Sequence, residues 1–163
     1  GEGKRSAELL CSMFHKSHPD VETKIARCFT VVGPHMPLNS HFAMGNFIRD
    51  ARSGGPVLVK GDGTPCRSYL YAADLAVWLW TILFRARPCR PYNVGSGDFL
   101  SIHETAKAVA NLSAPAPAVI VARAPDGGPA QRYVPDVSRA ELELGLTRRI
   151  DLRDAISRTM AFS

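Results

Sequence analysis

A chain of 163 residues is one ordinary domain's length of sequence, enough to bury about two-thirds of its unfolded surface. Hydrophobic residues make up 45% and charged residues 21%, a balance that excludes a disordered polymer, and the longest apolar run, Leu75 to Phe84, is too short to cross a bilayer. The net charge of +5 suits anionic ligands, but the basic residues are scattered instead of clustered, so no nucleic-acid partner is implied.

A helix is predicted to be under way from residue 1, with Ala7, Leu10, Cys11 and Phe14 recurring at helical spacing and no capping side chain before it. His18-Pro19-Asp20 ends it. Thr23 to Val32 is β-branched and apolar and reads as a mostly buried strand that stops at Gly33-Pro34. A proline-rich loop leads to a helix over about His41 to Arg52, closed by Gly54-Gly55, and Pro56 to Lys60 is a short strand into the Gly61-Asp62-Gly63 turn. Asp74 stands where an N-cap would, before the nearly all-apolar Leu75 to Phe84 helix, which is expected to be buried all round with Trp78 and Trp80 packing on two layers.

Pro91 to Val94 is another strand, and Ser101-Ile102-His103-Glu104 is a capping box for a helix whose buried face is Ile102, Ala106, Val109 and Ala110. Val119 to Val121 is a short strand beyond the SAPAP connector. Asp136 and Asp151 are placed to cap two final short helices, the first ending at Gly145 and the second near Met160. The alternation of strand and helix predicts an α/β fold with some parallel strands, yet only three or four strands are evident, too few for a covered sheet.

Candidate chemistry is sparse. Cys11, Cys28, Cys66 and Cys89 form no CxxC pair, and His15 and His18 have no third ligand at metal spacing, so neither a disulfide framework nor a metal site is predicted. Reduced thiols and the lack of a leader pattern lead to an expected cytoplasmic location. Arg67 is the best ligand candidate. Just after a two-glycine turn, its guanidinium presents a fixed fork of donors to a phosphate or carboxylate, the alternative being a surface salt bridge.

Five segments follow one another in a telling order: Gly1-Glu2-Gly3-Lys4 with Ala7-Glu8, Ala26 to Pro34 (ARCFTVVGP), Gly61-Asp62-Gly63 with Arg67 and Asp74, Tyr92-Asn93-Val94-Gly95, and Arg132-Tyr133 with Asp136 and Leu144-Gly145. Together they resemble the C-terminal half of the extended short-chain dehydrogenase/reductases, specifically NAD-dependent sugar-nucleotide epimerases and dehydratases. The resemblance implies an α/β substrate-binding part without the N-terminal Rossmann half. Residues 1–33 would be a remnant of the Rossmann domain, 34–163 mainly the substrate region, and 91–95 a return to the Rossmann sheet.

It also implies roles. Lys4 matches a lysine that holds the cofactor ribose and lowers the pKa of a catalytic tyrosine one turn earlier, here one position before Gly1; without the resemblance it reads as a solvated helix lysine. Cys28 and Phe29 would lie beside the nicotinamide and Thr30 beside the sugar. His41, Phe42 and Asn46 would cover the nucleotide, and Arg67, Asn93 and Arg132 would anchor its phosphates or base. The full-length protein is expected to bind NAD and a nucleoside-diphosphate sugar, to act by hydride abstraction through a 4-keto sugar, and to form a homodimer, with a lean toward polysaccharide synthesis. This chain alone is expected neither to bind NAD nor to turn over. The alternative is a non-catalytic nucleotide-binding or interaction module of the same descent.

Overall fold

A computed structural model describes residues 1–162. The element order is α1 (Glu2–Ser17), β1 (Ile25–Cys28), β2 (Val31–Val32), α2 (Ala43–Arg52), β3 (Val57–Val59), β4 (Cys66–Ser68), β5 (Leu70–Tyr71), α3 (Ala72–Arg85), β6 (Pro91–Val94), β7 (Phe99–Ser101), α4 (Ile102–Ala110), β8 (Val119–Val121), β9 (Arg132–Tyr133), α5 (Ser138–Leu144) and α6 (Leu152–Ala161). Three parallel pairs, β1 with β6, β2 with β5 and β3 with β8, accompany a three-stranded sheet in the order β7-β4-β9. Within that sheet β4 runs antiparallel to β7 and parallel to β9. The α/β expectation holds, but the strands are more numerous and shorter than predicted.

The expected strand from Thr23 to Val32 is two strands with different partners. Phe29 donates its N–H to the Val94 carbonyl at 2.9 Å, and one residue later the Thr30 carbonyl accepts from Leu70 N at 3.0 Å. The chain thus leaves β6 for β5 between β1 and β2. It is also less buried than predicted, since Arg27 and Cys28 are exposed.

Two cores result. One gathers α2, β3, α4 and α6 around Phe47, Ile48, Val57, Val59, Val109 and Ile156; the other gathers Trp78, Ile82, Tyr92, Val94, Ala140 and Leu144 from α3, β6 and α5. The predicted capping box starts α4: Ser101 Oγ accepts from Glu104 N at 3.1 Å while Glu104 Oε2 accepts from Ser101 N at 2.8 Å. Asp151 caps α6 as expected, accepting from Asp154 N at 2.8 Å.

Asp74 does something other than cap. Tyr71 is the N-cap because β5 runs straight into α3. The Asp74 carboxylate, 3% exposed, accepts from Arg149 N and Ile150 N at 3.1 and 3.0 Å, tying α3 in one core to the segment that enters α6 in the other.

α3 is not buried all round. Trp78 and Ile82, four apart on one face, are buried, whereas Trp80 is 60% and Phe84 74% exposed, stacked on each other with ring centroids 5.5 Å apart. Packing comes from the side of β2, β5, β6 and α5, and the face bearing Trp80 and Phe84 stays exposed among the described residues. α1 likewise buries none of its residues, including Ala7, Leu10, Cys11 and Phe14. Its tie to β1 is ionic: Arg27 donates to both Glu8 oxygens, at 2.7 and 2.6 Å. Among the described residues no helix is long and apolar enough to cross a membrane.

β6 is held to α5 by Glu143, which accepts from Tyr92 Oη at 2.8 Å and from Arg90 Nε at 2.8 Å. The Arg90 guanidinium, then the Tyr92 hydroxyl, lowers the Glu143 carboxyl from 4.5 to about 2. A depressed folded pKa stabilises the fold above the unfolded value and loses that contribution as pH falls from about 4.5 toward about 2. Acid unfolding followed by circular dichroism is therefore expected to be shallower across that window for Glu143→Gln than for the unaltered protein. Asp74→Ala, which removes a buried carboxylate and the two hydrogen bonds it accepts, is expected to cost about 1–3 kcal/mol in urea unfolding, and Asp74→Asn less.

Candidate binding cleft

The segment from Gly61 to Tyr71 builds one wall of a cleft. Gly63 takes a φ of +78° and sits so close to α4 that a Cβ would stand 2.9 Å from His103 Cβ, while its carbonyl accepts from His103 N at 3.0 Å. That turn launches β4, so Arg67 lies on a strand in mid-sheet instead of a loop. Side chains alternate across a sheet, which puts Arg67 and Tyr69 on one side and Cys66 and Ser68 on the other. Ser68 Oγ is buried with no hydrogen-bond partner among the described residues.

The cleft, about 630 Å³, is lined by Cys28, Phe29, Thr30 and Val31 at the partner switch, Met36 to Met44 in part, and Arg67, Tyr69, Ile102 and Tyr133. Arg67 is half-buried, and no carboxylate among the described residues pairs with it. Its Nη1 donates to the Cys66 carbonyl at 2.8 Å, and its Cζ lies 5.9 Å from the Tyr133 ring centroid. The salt-bridge alternative is thereby excluded for the described residues. The Tyr133 ring in turn lies 4.8 Å from that of Phe29.

Burial raises the pKa of Tyr69, against the opposing influence of the Thr105 hydroxyl and the Arg67 charge, so its phenol remains a neutral donor. Partial desolvation of the sulfur raises that of the Cys28 thiol although the residue is exposed overall, which keeps it protonated and a poor nucleophile.

A second hollow of about 470 Å³ shares His41, Ala43 and Ile102 with the first and adds Asn46, Arg49, Leu58, Lys60 and Asp62. Asn46 is engaged within it, donating to the Ser40 carbonyl at 3.0 Å and accepting from Arg49 Nη1 at 3.2 Å.

Of the residues predicted from sequence, the structure brings together Cys28, Phe29, Thr30, His41, Phe42 and Arg67, with Asn46 next door. It does not bring Asn93, Arg132 or Lys4 into that wall. Asn93 pairs with Arg27 in β1–β6 register, lines a separate hollow with Arg139 and Glu143, and donates to the Asp136 carbonyl at 2.8 Å. Arg132 sits opposite Cys66 in the ladder, so the pleat directs it to the face opposite Arg67, where its guanidinium lies 3.9 Å from the Phe99 ring centroid. Lys4 is exposed on the first turn of α1. Sequence reasoning missed Tyr69 and Tyr133 as wall residues; the two-residue spacing from Arg67 to Tyr69 was the available signal, once that segment is taken as strand.

The profile of the NAD dependent epimerase/dehydratase family matches residues 1–95. UDP-glucuronic acid decarboxylase 3 of Arabidopsis thaliana is 33% identical over 95% of this chain, and the chain spans 44% of that relative's length. Among solved structures, a UDP-glucose 4-epimerase from Thermotoga maritima with UDP-glucose superposes with a TM-score of 0.84 over 99% of this chain and 52% of its own, at 19% identity. A dTDP-glucose 4,6-dehydratase from Bacillus anthracis in complex with NAD gives 0.78 over 96% and 49%, at 17% identity. The matched profile, covering more than half of the residues, makes this chain a member of the NAD-dependent epimerase/dehydratase family of extended short-chain dehydrogenase/reductases.

Proposed function

We propose that this chain is the substrate-binding part of an NAD-dependent nucleoside-diphosphate-sugar epimerase, dehydratase or decarboxylase, whose dinucleotide-binding part lies outside these residues. One observation carries the reading: the half-buried Arg67 guanidinium faces a cleft with no carboxylate to neutralise it. A planar fork of donors in that setting favours a phosphate group, which it can grip with two parallel hydrogen bonds. The two adjoining hollows, meeting at His41 and Ile102, suit an elongated ligand with a charged middle, and each has the size of a small-molecule site. Thr30 and Tyr69 would contact the sugar side, and Asn46 and Lys60 the nucleoside side.

The residues present suit only one end of NAD. Cys28, the last residue of β1, and Phe29 just beyond it line the cleft, and Lys4 offers an ammonium without a carboxylate partner among the described residues. Neither internal Gly-x-Gly pair opens a helix as a dinucleotide pyrophosphate site needs: Gly61-Gly63 runs into β4 and Gly95-Gly97 into β7. The division into 1–33 and 34–163, with 91–95 joining the first, is supported by the β1–β6 pairing. The exposed apolar faces of α1 and α3 support a larger assembly, in keeping with the expected homodimer.

Titration calorimetry with UDP and with dTDP tests the site. Arg67→Ala is expected to weaken whichever nucleotide binds by at least about tenfold, and Arg67→Lys by less, because the charge survives but the fork does not. Unchanged affinity in Arg67→Ala would remove the reading. Assay of the full-length protein with NAD and UDP-glucuronate, UDP-glucose or dTDP-glucose separates the three reactions, and binding without turnover on any nucleotide sugar would favour a non-catalytic module.

A further inference from the structure

We propose that Gly95 is a positioning residue for the Arg67 cleft, because its missing side chain is the space in which the strap bearing Tyr133 is seated. The inference rests on the nucleotide-sugar reading of that cleft. Gly95 follows the last residue of β6, beside the point where Phe29 N–H meets the Val94 carbonyl at 2.9 Å. A Cβ there would stand 2.7 Å from Pro135 Cγ and 3.2 Å from Phe29 Cβ. The first separation is shorter than carbon atoms tolerate. Gly95 is not among the residues with positive φ, so space, not backbone conformation, is what the glycine supplies.

The two contacted residues differ in their freedom to yield. Phe29 Cβ is bonded to a backbone held in the partner switch between β1 and β2. Pro135 is buried, and its ring carbon is tied rigidly to its own backbone, so a methyl group at position 95 is accommodated by moving the strap. Two residues before Pro135 in that strap is Tyr133, which pairs with Arg67 in the β4–β9 register, packs against Phe29 with ring centroids 4.8 Å apart, and faces the Arg67 guanidinium at 5.9 Å. A further bond, Cys66 N to the Gln131 carbonyl at 2.7 Å, holds the strap's leading end. Displacement at Pro135 therefore reaches the cleft through Tyr133, although Gly95 lines no part of the cleft.

The test is titration calorimetry of the full-length protein with UDP and dTDP as probes, on Gly95→Ala, Pro135→Ala and the double variant. Gly95→Ala is expected to bind at least about tenfold more weakly than the unaltered protein, and removing the proline ring in the double variant to restore affinity to within about threefold of Pro135→Ala alone. Crowding by any group other than that ring would not be relieved by trimming it, and urea unfolding of each variant separates lost affinity from lost stability. Unchanged affinity in Gly95→Ala, or no recovery in the double variant, overturns the proposal. Should Gly95→Ala not fold, the double variant carries the test: it is expected to fold and bind within about threefold of Pro135→Ala, and failure to fold, or binding weaker than that by more than about tenfold, would overturn the proposal. An unaltered protein that binds neither nucleotide refutes the nucleotide reading, and this inference with it, whereas tight binding that Gly95→Ala leaves intact refutes only the role of Gly95.

Discussion

Phe29 donates to Val94 while Thr30 accepts from Leu70, so two successive residues belong to two different strand pairs. Peptide groups buried in a protein must find partners, and here the chain satisfies them by handing itself from β6 to β5 within one step. The cleft lies against this handover, and Cys28, Phe29, Thr30 and Val31 form one side of its lining. Gly95 and Pro135 close the same junction from behind, which is why a position outside the cleft bears on its shape.

The charged groups divide along the same boundary. Arg27, Arg49 and Arg90 each reach a carboxylate, on Glu8, Asp50 and Glu143 respectively; the first and last join separate elements, and the Arg49 pair lies within α2. Exposed pairs of this kind contribute little individually, though they orient α1 against β1 and β6 against α5. Arg67 is left without such a partner in a half-buried setting. An unneutralised guanidinium retains its electrostatic demand, and an anion entering the cleft meets it at reduced dielectric.

Elements specified by local chemistry were legible. The Ser101–Glu104 box, the Asp151 cap, the strands at 91–94 and 119–121 and the helix ending at Arg52 all follow from capping side chains, β-branched runs and glycine stops. β4, β5, β7 and β9 were not, because they lack the β-branched apolar runs that mark β3 and β8, and β2 was read as the end of one strand with β1. The apolar run of α3 was readable as a helix but not as a half-covered one, since hydrophobicity reports what a face prefers and not which layers reach it.

Residue type and order alone determined the α/β class, the family, and Arg67 as an anion-binding candidate, since these depend on local spacing and on the chemistry of a guanidinium. Tertiary structure decided which candidates stand together. Arg132 is one position from Tyr133 in the chain, yet the pleat of β9 turns it to the face of Phe99, and Asn93 is drawn to the Asp136 carbonyl in a hollow of its own. The same packing brought Tyr69 and Tyr133 to Arg67 from segments without a β-branched apolar run. Side-chain direction in a sheet is set by register with a neighbouring strand, and register is a property of pairing between distant segments that no single segment carries.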